Sequence, residues 1–217
     1  PTVAVIGAGL MGHGIASIFA AAGHRTFVHD AFPKTLETAP QRIAAVFELL
    51  GHDRKGLENL SYHASFEEAV KDADFVIEAA PEKPELKQEI FERLGKTARA
   101  DAILCTNTSA IPIKTVGARA ANPARVIGTH FWNPPHLVPL VEIVQSDTTS
   151  QATIDKTMAL FEGVGMSPVH VKKDIPGFIG NRLQHALKRE AIALVANGVC
   201  DARTVDKVIK EGFGARL

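Results

Sequence analysis

Apolar residues in this chain fall into short solid blocks and four-residue stripes, separated by polar turns. Val3-Ala-Val-Ile6 is apolar and β-branched without alternation, which predicts a strand over residues 2–6 that is buried on both faces. Further strands are predicted at 25–29, 75–79, 102–106, 125–129, 136–144 and 167–171. Between them, helices are predicted over 15–22, 33–50 and 153–164, with another opening at Pro84, where Leu86, Ile90 and Leu94 recur every four residues. Residues 51–60 read as a polar, turn-rich connection. Strands alternating with helices predict an α/β fold: a Rossmann-like, mostly parallel sheet with helices on both faces. After Asp174-Ile175-Pro176-Gly177 the pattern becomes purely helical, so the expected division is 1–175 and 176–217. In 178–197, Ile179, Leu183, Leu187, Ala191 and Leu194 make one apolar stripe, and a second helix follows at 203–211. Two helices cannot bury that stripe, so it needs a second chain or further helices. The chain starts without Met and stops after a Gly-rich turn, and we expect the all-helical C-terminal domain to be truncated.

The 217 residues amount to about 1.4 domains of average size. Lys+Arg and Asp+Glu are both 24, so there is no basic field to hold nucleic acid or an anionic membrane. No apolar run is long enough for a membrane span. No secretory leader is legible, and Cys105 and Cys200 form neither a metal-type spacing nor a disulfide framework; a reducing cytoplasm fits.

The chemistry starts at Gly7-x-Gly9-x-x-Gly12, between a strand and a helix. The first glycine permits the tight turn, the second lets backbone approach a pyrophosphate, and the third lets helix and strand pack closely. Asp30 ends the second strand, where a carboxylate bonds both adenosine ribose hydroxyls and repels a 2′-phosphate. That predicts NAD rather than NADP. Ligands of open α/β sheets bind at the carboxyl ends of strands. Asn107-Thr108-Ser109 follows one such end, and His130 another. Glu142 stands inside an apolar strand and needs a partner. His130 across the Pro-rich turn is one candidate, His136 competes with it, and an Arg or Lys would also serve. A His–carboxylate pair fixes an imidazole tautomer for proton transfer.

The chain resembles the 3-hydroxyacyl-CoA dehydrogenase family. The resemblance is carried by Gly7-Ala-Gly-Leu-Met-Gly-His-Gly14, Val76-Ile-Glu-Ala-Ala-Pro-Glu82, Thr106-Asn-Thr-Ser109, Gly128-Thr-His-Phe-Trp-Asn-Pro134, Leu140-Val-Glu142 and Asp174-Ile-Pro-Gly-Phe-Ile-Gly-Asn-Arg-Leu183. It implies a Rossmann-like domain followed by a helical domain that forms a homodimer. It implies NAD contacts at Gly7, Gly9, Leu10, Met11, Gly12, Asp30, Glu82, Lys87 and Asn107. It also implies a catalytic set: His130 as acid–base, Glu142 orienting it, Ser109 on the reacting oxygen and Asn181 on the substrate carbonyl. The implied reaction interconverts an L-3-hydroxyacyl-CoA and its 3-ketoacyl-CoA by hydride transfer.

Two departures bring in a free 3-hydroxy acid as the alternative substrate. Asn133-Pro-Pro-His-Leu-Val-Pro-Leu140 is similar to the branch containing L-gulonate dehydrogenase, lambda-crystallin and carnitine dehydrogenase. The stretch 31–60 is also shorter than in acyl-CoA members, although Lys34, Arg42, Arg54 and Lys55 could meet CoA phosphates. A lysine-dependent dehydrogenase using Lys188 would leave His130 and Glu142 unexplained, and a crystallin-like scaffold would bind NAD without turnover. Two cysteines supply no ligand cluster for a zinc-dependent alcohol dehydrogenase.

Overall fold

The computed structural model describes residues 1–216, with side-chain surroundings through residue 214. The chain forms two compact units, Pro1–Pro176 and a second beginning at Gly177.

The first unit alternates strands and helices: β1 (Val3–Ile6), α1 (Gly12–Ala21), β2 (Thr26–His29), α2 (Pro33–Leu50), β3 (Leu60–His63), α3 (Phe66–Val70), β4 (Phe75–Glu78), α4 (Pro84–Thr97), β5 (Ile103–Thr106), α5 (Ile113–Val116), β6 (Val126–Phe131), β7 (Leu140–Val144), α6 (Gln151–Gly163) and β8 (Ser167–Val171). The strand order is β3-β2-β1-β4-β5-β6-β7-β8. Among the described residues, β6 and β7 run antiparallel and every other neighbouring pair is parallel. The order reverses between β1 and β4, which opens the ligand crevice of a doubly wound sheet. Every residue of β1, β2, β4, β5 and β6 is buried, as a sheet covered on both faces requires. Phe161 of α6 packs edge-on against Phe19 of α1 and Phe131 of β6, with ring centroids 5.8 and 5.3 Å apart.

Four local differences from the sequence expectations have physical causes. First, α1 begins at Gly12 rather than residue 15, so the glycine turn runs directly into the helix. Second, β3 pairs along β2 at the sheet edge. Its Leu-Ser-Tyr-His sequence is half polar because an edge strand is only half covered, and so it carried no apolar block. A 3-10 turn at Arg54–Asn59 precedes it, inside the predicted connection. Third, β7 begins at Leu140, not 136. Pro134, Pro135 and Pro139 have no N–H to give a ladder, and Leu137 and Val138 N–H turn back to the Pro134 carbonyl. Fourth, β6 extends to Phe131, which puts His130 inside the strand instead of after it. The short helices α3 and α5 lacked a repeating stripe. Asp174 caps α5, its carboxylate accepting Ile113 N–H at 2.8 Å and Lys114 N–H at 2.9 Å.

The second unit contains α7 (Gly180–Ala196), α8 (Ala202–Glu211) and a 3-10 turn (Phe213–Arg216). Asp201 caps α8 by accepting Thr204 N–H. The expected stripe is exposed at Ile179, Leu183 and Leu187, and Ile192 and Val195 are exposed as well. The expected division at 175/176 falls beside this boundary, and its last residue, Leu217, lies outside the described ones.

Candidate active site

The glycine turn is built by close backbone contacts. Gly7 has φ 96°, a left-handed conformation that disfavours a side chain, and a Cβ there would lie 2.7 Å from the Ala79 carbonyl oxygen. A Cβ on Gly12 would lie 1.6 Å from the Gly7 oxygen. A Cβ on Gly9 would meet nothing within 4 Å, so the chain's own packing does not require a glycine there. No side chain caps the N-terminus of α1 at Met11. Its backbone donors and the positive end of the helix dipole suit a pyrophosphate. Met11 is half-buried against the core, and Leu10 is exposed. Asp30 follows β2 and braces this turn: its carboxylate accepts Ala8 N–H at 2.7 Å and Phe32 N–H at 2.8 Å. An open glycine, an uncapped helix end and an acid at the end of β2 together fit NAD.

Arg42 of α2 closes on the same turn. It donates to the Gly9 carbonyl at 3.3 Å and the Thr35 carbonyl at 2.8 Å. Of the four cations considered for CoA phosphates, it is therefore held within the chain, whereas Lys34, Arg54 and Lys55 are exposed.

The carboxyl ends of β4 and β5 meet in a buried polar cluster. Glu78 is fully buried and Lys87 of α4 is 1% exposed; their charged atoms are 2.7 Å apart. The other Glu78 oxygen accepts the Thr106 hydroxyl at 2.7 Å. Glu82, exposed at its outer side, accepts the Thr108 hydroxyl at 2.6 Å and the N–H groups of Ser109 and Ala110 at 2.8 and 3.2 Å. Burial pushes the Glu82 carboxyl up, but the Thr108 hydroxyl, the Lys87 charge and the two amides outweigh it and hold the group below the usual carboxylate range. Asn107 Oδ1 accepts Phe131 N–H at 3.0 Å, tying the end of β5 to that of β6. Ser109 is exposed beyond it. Glu78 was not singled out in the sequence reading. Its signal was an acid closing an otherwise apolar strand, the same signal that drew attention to Glu142.

His130 and Glu142 are register partners across β6 and β7, so their side chains share one face. Nδ1 and Oε2 are 2.7 Å apart, with the residues 4% and 1% exposed. An ionised Glu142 accepts, so Nδ1 carries the hydrogen of the neutral ring and Nε2 is its acceptor nitrogen. The Trp132 ring lies 5.3 Å from the imidazole. His136, the competing histidine, packs instead against Gly14 of α1: a Cβ on Gly14 would lie 2.9 Å from His136 Nδ1. Burial, and then the neighbouring His13, hold its pKa below the ordinary histidine value.

Asn181 belongs to the second unit, in the first turn of α7. Lys188 Nζ donates to Gln184 one turn earlier at 3.3 Å. Among the described residues, no group of three or more His, Cys, Asp or Glu side chains could hold a metal ion, and no helix is long and apolar enough to cross a membrane.

Residues 2–175 match the family described as "3-hydroxyacyl-CoA dehydrogenase, NAD binding domain", and 177–217 match "3-hydroxyacyl-CoA dehydrogenase, C-terminal domain". A 5-formyl-3-hydroxy-2-methylpyridine 4-carboxylate 5-dehydrogenase from Mesorhizobium japonicum is 34% identical over 99% of this chain and 71% of its own length. A crystal structure of an enzyme of that name superposes with a TM-score of 0.92. An L-carnitine dehydrogenase from Streptomyces griseus is 37% identical over 99% of this chain and 65% of its own. The structure of a 3-hydroxybutyryl-CoA dehydrogenase from Escherichia coli is 33% identical with a TM-score of 0.90, over 96% of this chain and 46% of that one. The chain belongs to the 3-hydroxyacyl-CoA dehydrogenase family and is an NAD-dependent oxidoreductase acting on a hydroxyl group.

Proposed function

We propose that this chain interconverts an L-3-hydroxy acid and its 3-keto counterpart, with His130 as the acid–base. The buried His130–Glu142 pair at the carboxyl end of β6 carries this reading. His130 Nε2 takes the hydroxyl proton during oxidation and returns it in reduction. Glu142 holds the ring by Nδ1 and stabilises the imidazolium. Ser109 bonds the reacting oxygen, and Asn181 the substrate carbonyl or the oxyanion. Bound NAD would supply the hydride-accepting group for the carbinol carbon. Gly7, Gly9, Leu10, Met11 and Gly12 seat its pyrophosphate, Asp30 its adenosine ribose, and Glu82 with Asn107 border the nicotinamide ribose.

The substrate we assign first is the free carboxylic acid. Arg42 is engaged by Gly9 and Thr35, which leaves fewer of its donors open to a CoA phosphate. The relatives at 34% and 37% identity are named for a pyridine carboxylate and for carnitine. The second reading, a 3-hydroxyacyl-CoA, is supported by the 33% identical 3-hydroxybutyryl-CoA dehydrogenase and by exposed Lys34, Arg54 and Lys55. We assign residues 1–175 to cofactor binding and 176–217 to the start of a substrate and dimerisation domain. The exposed stripe at Ile179, Leu183 and Leu187 supports a homodimer built through that domain.

The test is NADH formation by the full-length protein on L-carnitine, L-gulonate and L-3-hydroxybutyrate, set against NADH-dependent reduction of acetoacetyl-CoA. Turnover on a free acid alone supports the first reading, and turnover on the thioester alone replaces it with the second. No turnover on either, with NAD bound, sinks both in favour of a non-catalytic scaffold.

A further inference from the structure

Trp132 directly follows β6, two residues past His130. Alternation along an extended chain turns both side chains to one face of the sheet. Phe131 between them turns to the other face, onto Phe161 of α6. The indole ring lies 5.3 Å from the imidazole, tilted by 50°, while Glu142 engages imidazole Nδ1. Trp132 is half-buried, yet its Nε1 is buried and has no hydrogen-bond partner among the described residues. His63 Nε2 and His136 Nδ1 are also buried without partners. An imidazole nitrogen can leave its hydrogen on the other one, whereas an indole N–H is always a donor. A buried donor left unpaired is costly, and this one stands beside the acid–base, where a ligand can bring the acceptor.

We infer that Trp132 is a specificity-determining residue whose indole N–H donates to the substrate's carboxylate, at the oxygen that a thioester replaces by sulfur. A 3-hydroxy acid with its hydroxyl on His130 carries its carboxylate two carbons along the chain, and the 5.3 Å offset of the two rings is of that size. Acid and thioester share the carbonyl oxygen. At the second position the acid has an oxygen that shares the negative charge, whereas the thioester has divalent sulfur, a weak acceptor. A bound thioester leaves the N–H unpaired, and a site built to hydrogen-bond a group rejects the analogue that lacks it. The inference rests on the free-acid reading above and names the residue that makes the choice.

The experiment uses the full-length protein and Trp132→Phe, which keeps an aromatic ring beside His130 and removes the N–H. kcat/KM is measured for the best free acid among L-carnitine, L-gulonate and L-3-hydroxybutyrate, and for acetoacetyl-CoA. The value for the acid should fall about 10–100-fold, and that for the thioester should hold or rise. Both substrates use the same dyad and cofactor, so a role in packing alone lowers both alike. Equal falls therefore overturn the inference, and so does an unchanged value for the acid, which would leave the N–H bonded to water only. Should Trp132→Phe lose Tm, or the thioester give no turnover in either protein, the parent decides. Its Trp132 indole N–H resonance should move downfield when the acid is added to the NADH complex, a pair that cannot react; no movement overturns the inference. A parent that turns over the thioester alone removes the free-acid reading and this inference together. Retained turnover in His130→Ala removes the proposed proton transfer, and the acid-to-thioester comparison still decides the role of Trp132.

Discussion

His130 and Glu142 stand directly opposite each other where β6 and β7 run antiparallel, and the carboxylate meets imidazole Nδ1 at 2.7 Å. Two sheet strands hold the pair, so neither side chain depends on a loop for its position. Both residues are buried, so water competes little for the bond.

The dyad predicts a separation of binding from turnover. His130→Ala should lower kcat by about 10²–10⁴-fold and leave NAD affinity unchanged in a fluorescence titration. Glu142→Gln keeps the shape but loses the charge that fixes the tautomer, and should cost about 10²-fold or more in kcat. A Glu142→Gln enzyme with parental kcat would remove the orienting role.

The glycines of the turn should separate fold from function. At Gly12 a new Cβ collides with the Gly7 carbonyl. Gly12→Ala should therefore destabilise the chain by about 1–3 kcal/mol or more, visible as a lower Tm. At Gly9 a Cβ meets nothing in the chain. Gly9→Ala should keep Tm and lose NAD affinity, because the methyl takes up the pyrophosphate's space. Equal effects of the two on Tm would refute this division.

Asp30 tests the ribose assignment. Hydrogen bonds to a charged acceptor are worth about 1.5–3 kcal/mol, so Asp30→Ala should raise the Kd for NAD by about 10–100-fold. Loss of the negative charge should also narrow the preference for NAD over NADP. Asp30 braces Ala8 and Phe32 as well, so Tm is measured alongside; unchanged NAD affinity would sink the assignment.

Glu82 predicts an acid-sensitive stability. Its folded-state pKa lies below the ordinary value. Its contribution is therefore present above the ordinary carboxylate pKa and is lost as pH falls through the lowered one. Tm measured from about pH 5 to about pH 3 should fall more steeply for the parent than for Glu82→Gln. Parallel curves would show that the bonds to Thr108, Ser109 and Ala110 add nothing.

Much of this was readable in residue order. The glycine turn, the apolar blocks and the Asp174–Gly177 break announce a doubly wound sheet followed by helices, because burial on both faces and tight turns leave marks within a few residues. His130 and Glu142 were legible as candidates by the same logic, since an acid in an apolar strand needs a partner. What residue order could not choose was the partner. His136 lies nearer to Glu142 in sequence than His130 does, and the antiparallel register excluded it by turning residues 136–139 away from the ladder. Lys87 entered only as an implied cofactor contact; that it also pairs with Glu78 is set by the packing of α4 against the end of β4. Strand β3 was invisible because one neighbour and half a cover demand little apolar sequence. Periodicity along the chain reports which residues are buried; sheet register and helix packing decide what each buried charge faces, and in this protein those pairings arrange the chemistry.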